Sequence, residues 1–364
     1  MHGSAPVHVG LLAAIGMGVR ATSVASEGQH QGTLNAINKM ALNIIDFHCH
    51  HVPARFELTA ARTAPASQRA RWDAIARNLA NEDLLLADIR AGLLTARVVS
   101  IPAQLIADAE GNVPHDTIAA MNDHLAGLVA RYPGLIHGLA SVDAYDGERA
   151  AREAERSIRD LKLSGLFVEC ARGGALIDAP EARPTLEVAA KLGVPVFVHP
   201  VAPQPLTKQM APYGLIGTLF ARGTVNSAAL IALVEGGVFS ELPDLRVVVT
   251  AHAIGGIAMA TGLSSESRLP TGAIEVMRRH VFIDTQLIHP ALIRASVDLL
   301  GIDHVVVGSD WPIAGDEPIR DALGNALCRA GLAEDERHLV ATDNCRRLLG
   351  LSRTSSDFAT KIPA

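Results

Sequence analysis

A chain of 364 residues is long enough for one large core or for two domains, and 49% hydrophobic, 19% charged and 4% aromatic residues exclude a disordered or coiled protein. A formal charge of −6 without a basic cluster excludes a nucleic-acid footprint. Cys49, Cys170, Cys328 and Cys345 are scattered with no CxxC pair, which gives no reason to expect a disulfide frame or thiolate zinc site; they are read as reduced thiols of a cytoplasmic protein.

Residues 9–19, an apolar run followed by Val24-Ala25-Ser26, superficially suggest a secretory signal, but no basic n-region precedes them and Arg20 follows directly. The run is too short and glycine-rich to span a bilayer, so no membrane contact is expected. Met40 stands immediately before the first strand, which makes residues 1–39 an appended N-terminal extension.

From Ile44 onward, apolar β-branched runs alternate with longer Ala/Leu/Arg-rich stretches of helical period. Eight strands are predicted, over Ile44–His48, Ala96–Ile101, Ile136–Val142, Gly165–Glu169, Val196–His199, Arg246–His252, Val281–Asp284 and His304–Ser309. Helices fit between them over Thr117–Tyr132, Gly147–Leu161, Arg183–Leu192, Ser227–Gly236 and Ala291–Leu300, several stopped by Gly or Pro. Strict alternation over about 270 residues matches an α/β fold of the (β/α)8 TIM barrel type. A doubly wound open sheet would carry a glycine-rich turn after its first strand, and histidines stand there instead. The stretch Ala54–Leu86, with Arg55, Arg62, Arg69, Arg71, Trp72 and Arg77, is too long for a simple βα loop and is expected as an inserted lid. The barrel domain then covers 40–353 with the insertion 54–86, and 354–364 form a C-terminal tail.

Strand one closes on His48-Cys49-His50. Alternation puts both imidazoles on one face, with Ile45, Phe47 and Cys49 on the other against helices, while Asp46 shares the histidine face and is placed to orient an imidazole. In a barrel the C-terminal strand ends converge on one mouth. Strand five ends in His199, strand six in His252, and strand eight runs into Asp310. Any one of these alone fits a hydrogen-bonded structural histidine or a helix-capping aspartate. Together they could supply His48, His50, His199 and Asp310 to one divalent metal with an open position, and His252 as a nearby acid or base.

These residues sit in motifs that resemble the amidohydrolase superfamily, in the branch with aminocarboxymuconate semialdehyde, resorcylate and methylsalicylate decarboxylases and several hydrolases and hydratases. The motifs are His48-x-His50-x-x-Pro53, Phe197-Val198-His199-Pro200, Leu242-Pro243-Asp244-Leu245-Arg246 before His252-Ala253-Ile254-Gly255-Gly256, Gly308-Ser309-Asp310-Trp311-Pro312 and Asn344-Cys345-Arg346-Arg347-Leu348-Leu349-Gly350. The resemblance spans roughly Met40 to Leu351. It implies a metal, usually zinc with manganese second, held by His48, His50, His199 and Asp310, with His252 as the catalytic histidine. Two departures stand out. Ala253-Ile254 precede the glycine pair where the family often has one residue, and strand four carries Glu169 but no lysine to bridge two metals. One metal is therefore expected; Glu169 either adds an oxygen or orients a neighbour.

The expected reaction is non-oxidative decarboxylation of a small aromatic or unsaturated carboxylic acid, with His252 or Asp310 returning a proton to carbon. Its rival is hydrolysis or hydration of a lactone, amide or carbon–carbon bond by the same residues. A barrel that had lost catalysis would show a broken ligand set, and this one is complete. Arg55, Arg62 and Arg222 are candidates for pairing with a substrate carboxylate, each also readable as a solvated charge. Trp311, beside Asp310, is a candidate pocket wall. His51 should point away from the site, and His289 is left out. A homodimer is expected from the apolar outer helices and the resemblance.

Overall fold

The computed structural model describes residues 42–59, 62, 68–108, 111–315 and 319–351, and the expected 1–39 extension and 354–364 tail lie outside them. Eight parallel strands follow one another in chain order: β1 (Ile45–His50), β2 (Ala96–Ser100), β3 (Ile136–Ser141), β4 (Gly165–Glu169), β5 (Pro195–His199), β6 (Arg246–Val249), β7 (Val281–Asp284) and β8 (Val305–Val306). The ring closes between its last and first segments. Phe47 N–H donates to the Val307 carbonyl at 2.8 Å, Asp310 N–H to that of His48 at 2.7 Å, and His50 N–H to that of Trp311 at 2.8 Å. The (β/α)8 barrel expected from the alternation is the fold. Val, Ile and Phe dominate its strands because parallel strands are buried on both faces.

One set of strand residues fills the barrel interior: Ile45, Phe47, Val98, Leu139, Phe167, Phe197, Val248, Phe282 and Val306 form one buried cluster, completed by Cys345 and Leu348. The alternate residues, among them Cys49, Val99, Val168, Val198, Val249 and Ile283, belong to the core beneath the helices. Phe47 and Phe167 meet Phe197 edge-on, with centroids 5.5 and 5.7 Å apart. Truncating Phe197 to Ala should cost about 3–5 kcal/mol, because the surrounding barrel cannot collapse into the gap.

Strict alternation fails at the decisive strand. Pairing with β2 slips by one residue, Asp46 lying opposite Arg97 but Cys49 opposite Val99. This β-bulge lets Phe47 and His48 both face the interior, whereas alternation had placed them on opposite faces. Asp46 is thereby turned outward, against expectation. Its carboxylate accepts from Ser309 N–H at 3.0 Å and Ser309 Oγ at 2.7 Å and faces Arg97 Nε at 4.0 Å, so it orients no imidazole. A bulge escapes a period-two pattern because its extra residue has no partner and no compositional mark.

The helices fall where periodicity puts them, with one exception: that predicted over Ser227–Gly236 runs over Gly214–Glu235. Its sequence is apolar nearly all round, so no amphipathic face marks where it begins. It passes so close to the turn after β6 that a Cβ on Gly223 would lie 2.8 Å from the His252 carbonyl oxygen. The stretch Leu206–Glu235 is long and apolar enough to cross a membrane, but here it packs on the barrel through Ala221, Ala229, Leu230 and Leu233. Within the expected insertion, helices Arg69–Leu79 and Glu82–Arg90 bury Ile75, Leu79, Leu85, Leu86 and Ile89. This helical half is outer-layer packing rather than lid, and Asn81 starts the second helix by accepting from Asp83 N–H and Leu84 N–H at 3.0 and 3.1 Å.

Candidate metal centre

Four side chains converge at the barrel mouth. His48 and His50 come from β1, His199 from the end of β5 and Asp310 from the turn after β8, each offering one donor atom within 4.8 Å of all the others, and all four are buried. The Nε2 atoms of His48 and His50 are 3.2 Å apart, and Asp310 Oδ1 lies 3.4 and 3.2 Å from them. Ligand bonds of about 2.0–2.1 Å in a tetrahedron give donor–donor edges of about 3.3 Å, so this donor set fits one divalent cation. Asp310 reaches inward through a left-handed backbone, φ +58°, a conformation aspartate tolerates better than most residues. Residue 308 has to be glycine, since a Cβ there would lie 2.7 and 2.8 Å from the Cβ atoms of His48 and Asp284.

A shell of hydrogen bonds aims each ligand. His48 Nδ1 stands 2.7 Å from Asp284 Oδ2, His50 Nδ1 2.9 Å from Ser100 Oγ, and His199 Nδ1 3.1 Å from Gln104 Nε2. Gln286 Nε2 donates to Asp310 Oδ2 at 2.6 Å. On His48 and His50 the Nδ1 atoms meet oxygens that can accept from them, which leaves Nε2 of each ring for the centre. Burial opposes charge on every member. On Asp310 it is outweighed by the His48 charge and the bonds from His48 and His50, which hold the carboxyl well below its ordinary range. On His48 burial is likewise outweighed, by the Asp310 charge and the bond to Asp284, which push it up to about 10. His199, by contrast, is held well below the usual histidine range by burial and then by the charge of His50. The cluster keeps an anionic oxygen on Asp310 and neutral imidazoles on His50 and His199, while His48 would give up its proton to an incoming cation.

Residues 45–351 match the family model described as Amidohydrolase. The chain belongs to the amidohydrolase family. This amidohydrolase is 27% identical over 246 residues to the 2-amino-3-carboxymuconate-6-semialdehyde decarboxylase of Dictyostelium discoideum, which covers 65% of this chain and 67% of that one. It is 25% identical over 289 residues to the gamma-resorcylate decarboxylase of Polaromonas sp. strain JS666, covering 70% and 83%. Among solved structures, the dihydroxybenzoic acid decarboxylase from Polaromonas sp. JS666, with bound manganese and the inhibitor 2-nitroresorcinol, aligns at a TM-score of 0.73 and 20% identity over 86% of this chain and 98% of that one. The expected superfamily and branch hold.

Around the cluster the amidohydrolase places its other candidates unequally. His252 lies in a one-turn 3-10 helix, Ala251–Ala253, beyond the end of β6 rather than on the strand itself. Neither of its ring nitrogens has a hydrogen-bond partner among the described residues. Burial lowers its pKa, with the Asp284 and Asp310 charges opposing that shift and those of Arg222 and His48 adding to it. Arg222 belongs to the helix Gly214–Glu235, where burial lowers its pKa against the charges of Asp310, Cys170 and Glu169. Arg55 donates instead to the Ala120 carbonyl at the surface, and Arg62 pairs with Glu57 at 3.2 Å. Trp311 is 3% exposed and carries the Arg97 guanidinium 4.5 Å over its ring. Because Arg97 leaves β2 on the outer side and bonds Asp88 at 2.5 Å, Trp311 packs there rather than walling the mouth.

Glu169 stands outside the four-ligand group. With Asp143, Tyr145, Phe167 and Arg172 it lines a small cavity, and burial, reinforced by the Asp143 charge, pushes its carboxyl up to about 7. His289 caps the helix Pro290–Leu300 by accepting from Ala291 N–H at 3.3 Å. Sequence reasoning missed Asp284, Ser100, Gln104 and Gln286. The first two lie at strand ends, where the rule used for the histidines would have found them, whereas Gln104 sits in the 3-10 helix Ala103–Leu105 and Gln286 on a turn, neither with a compositional signal.

Proposed function

We propose that this amidohydrolase is a metal-dependent, non-oxidative decarboxylase of a small aromatic or unsaturated carboxylic acid. One observation carries the reading: next to a buried His3Asp set, on the turn whose Ala251 N–H holds Asp284, His252 keeps both ring nitrogens unpartnered among the described residues, and the helix bearing Arg222 passes against that turn. Names of the relatives, resorcylate and aminocarboxymuconate semialdehyde decarboxylases, agree with it. The metal, zinc by donor type and manganese by the Polaromonas neighbour, would act as template and Lewis acid for the substrate.

In this mechanism Arg222 pairs with the substrate carboxylate before reaction. Cleavage of the bond between ring carbon and carboxyl carbon releases CO2 and leaves the bonding electrons on the ring carbon. His252, neutral at rest because burial lowers its pKa, takes up a proton from solvent and delivers it to that carbon, and the new C–H bond completes the exchange. Asp310, tied to Gln286 and the two β1 histidines, holds its charge in place.

Two further readings accompany this one. Tyr213, Leu215, Ile216 and Phe220 are exposed on one segment and Met259 and Leu263 on the helix packed against it, an apolar face that a second copy would cover in a homodimer. Four free cysteines accord with a cytoplasmic location. The reaction is tested by anaerobic incubation of metal-loaded protein with hydroxybenzoates, muconates and lactones, following CO2 release separately from ring opening. CO2 from a carboxylic acid is expected; lactone or amide turnover without CO2 would make the protein a hydrolase.

A further inference from the structure

His51 leaves β1 on the side away from the metal centre and is 1% exposed. Its Nε2 lies 3.3 Å from Nε2 of His124, on the helix His115–Arg131, with the two rings only 21° from parallel. Glu82, the first residue of the helix Glu82–Arg90, completes the group: one donor atom from each of His51, Glu82 and His124 lies within 4.8 Å of the other two. Neither the proposed reaction nor its residues make use of these three.

A shared proton explains the contact between the imidazoles and Arg131 accounts for one oxygen of Glu82, but neither explains why donors from all three residues approach within 4.8 Å of one another. Two nitrogens 3.3 Å apart match a tetrahedral ligand edge, as at the mouth. Arg131 donates to Glu82 Oε1 at 2.7 Å, the kind of bond that fixes a ligating carboxylate from behind and leaves its second oxygen free.

We propose that His51, Glu82 and His124 bind a second divalent cation, zinc by donor type, at a structural site on the outer wall of the barrel. The three ligands come from the end of β1, the helical part of the segment that follows it and the helix after β2, so the ion ties together elements far apart in sequence. It also anchors the chain one residue beyond His50. The site is separate from the catalytic centre, and its occupancy does not depend on which reaction that centre performs.

The full-length protein, stripped with a chelator and retitrated with Zn2+, tests this by metal analysis after desalting and, with Co2+ as the probe, by ligand-field absorption. Two equivalents are expected in the wild type and one in His124→Gln and in His51→Gln. In His48→Ala one equivalent should also remain, this time at the outer site, which separates failure of this proposal from failure of the catalytic one. The second equivalent should raise the melting temperature of the wild type and leave that of His124→Gln unmoved; His124 is half-exposed, so that variant keeps the test open should His51→Gln fold poorly. Saturation of the wild type at one equivalent or none, or a second equivalent that survives in His124→Gln, overturns the proposal and leaves a hydrogen-bonded imidazole pair beside a Glu82–Arg131 ion pair.

Discussion

The Asp284 carboxylate stands 2.7 Å from His48 Nδ1, with neither side chain reached by solvent, and it directs the opposite nitrogen of that ring toward Asp310. Asp284 is itself held by Ala251 N–H at 2.8 Å and Gln286 N–H at 3.0 Å, so the ring is set by the ends of three strands at once. Replacing Asp284 by Ala should weaken metal binding by about 10–100-fold, the usual cost of losing such an outer partner. Competition against a chromophoric chelator measures it, and unchanged affinity would show that packing alone orients His48.

His252→Gln should lower kcat by about 10²–10⁴-fold, the range for a positioned proton donor, while the metal content of the catalytic centre stays at one equivalent. Single-turnover CO2 release with parallel metal analysis separates the two. Full turnover in this variant would move the proton transfer to Asp310.

Arg222→Met removes a cation that feels Asp310 and Glu169. A charge-assisted hydrogen bond contributes about 1.5–3 kcal/mol, so KM for a carboxylate substrate should rise by about 10–100-fold, with a smaller change in kcat. Inhibitors that lack the carboxylate should bind as before. Equal losses for both ligand classes would mean that the arginine supports the site's shape.

Glu169, with its carboxyl raised to about 7 by burial and then by Asp143, is neutral below that pH and ionised above it. An added negative charge beside the mouth opposes an incoming carboxylate, so KM should increase as pH rises through about 7. Glu169→Gln holds the neutral form at every pH, and its KM profile should be flat across that range. An identical rise in wild type and variant would assign it to another group.

Ile216, 78% exposed on the apolar face, is the most exposed of the large hydrophobic side chains among the described residues. If a second copy covers that face, Ile216→Asp should shift the protein from dimer to monomer by light scattering at micromolar concentration, since a buried unpaired carboxylate is costly. A wild-type monomer, or a dimer indifferent to this change, would place the contact elsewhere.

The barrel and the four side chains that converge at its mouth are legible without the structure. Alternating periods of two and 3.6 are imposed locally by burial, so the run from Ile44 to Ser309 shows eight βα units, and a strand end is where a barrel exposes function; hence His48, His50, His199 and Asp310 were legible. The remaining features depend on contacts between distant segments. The bulge that brings Phe47 and His48 to one side arises from pairing with β2, and the partner of His48 is Asp284, 236 residues away, rather than Asp46, two residues away. Likewise Arg222 was separated from Arg55, Arg62 and Trp311 only when the long apolar helix packed on the His252 turn. Periodicity records which face of an element is buried, but not which side chains from other elements meet it there.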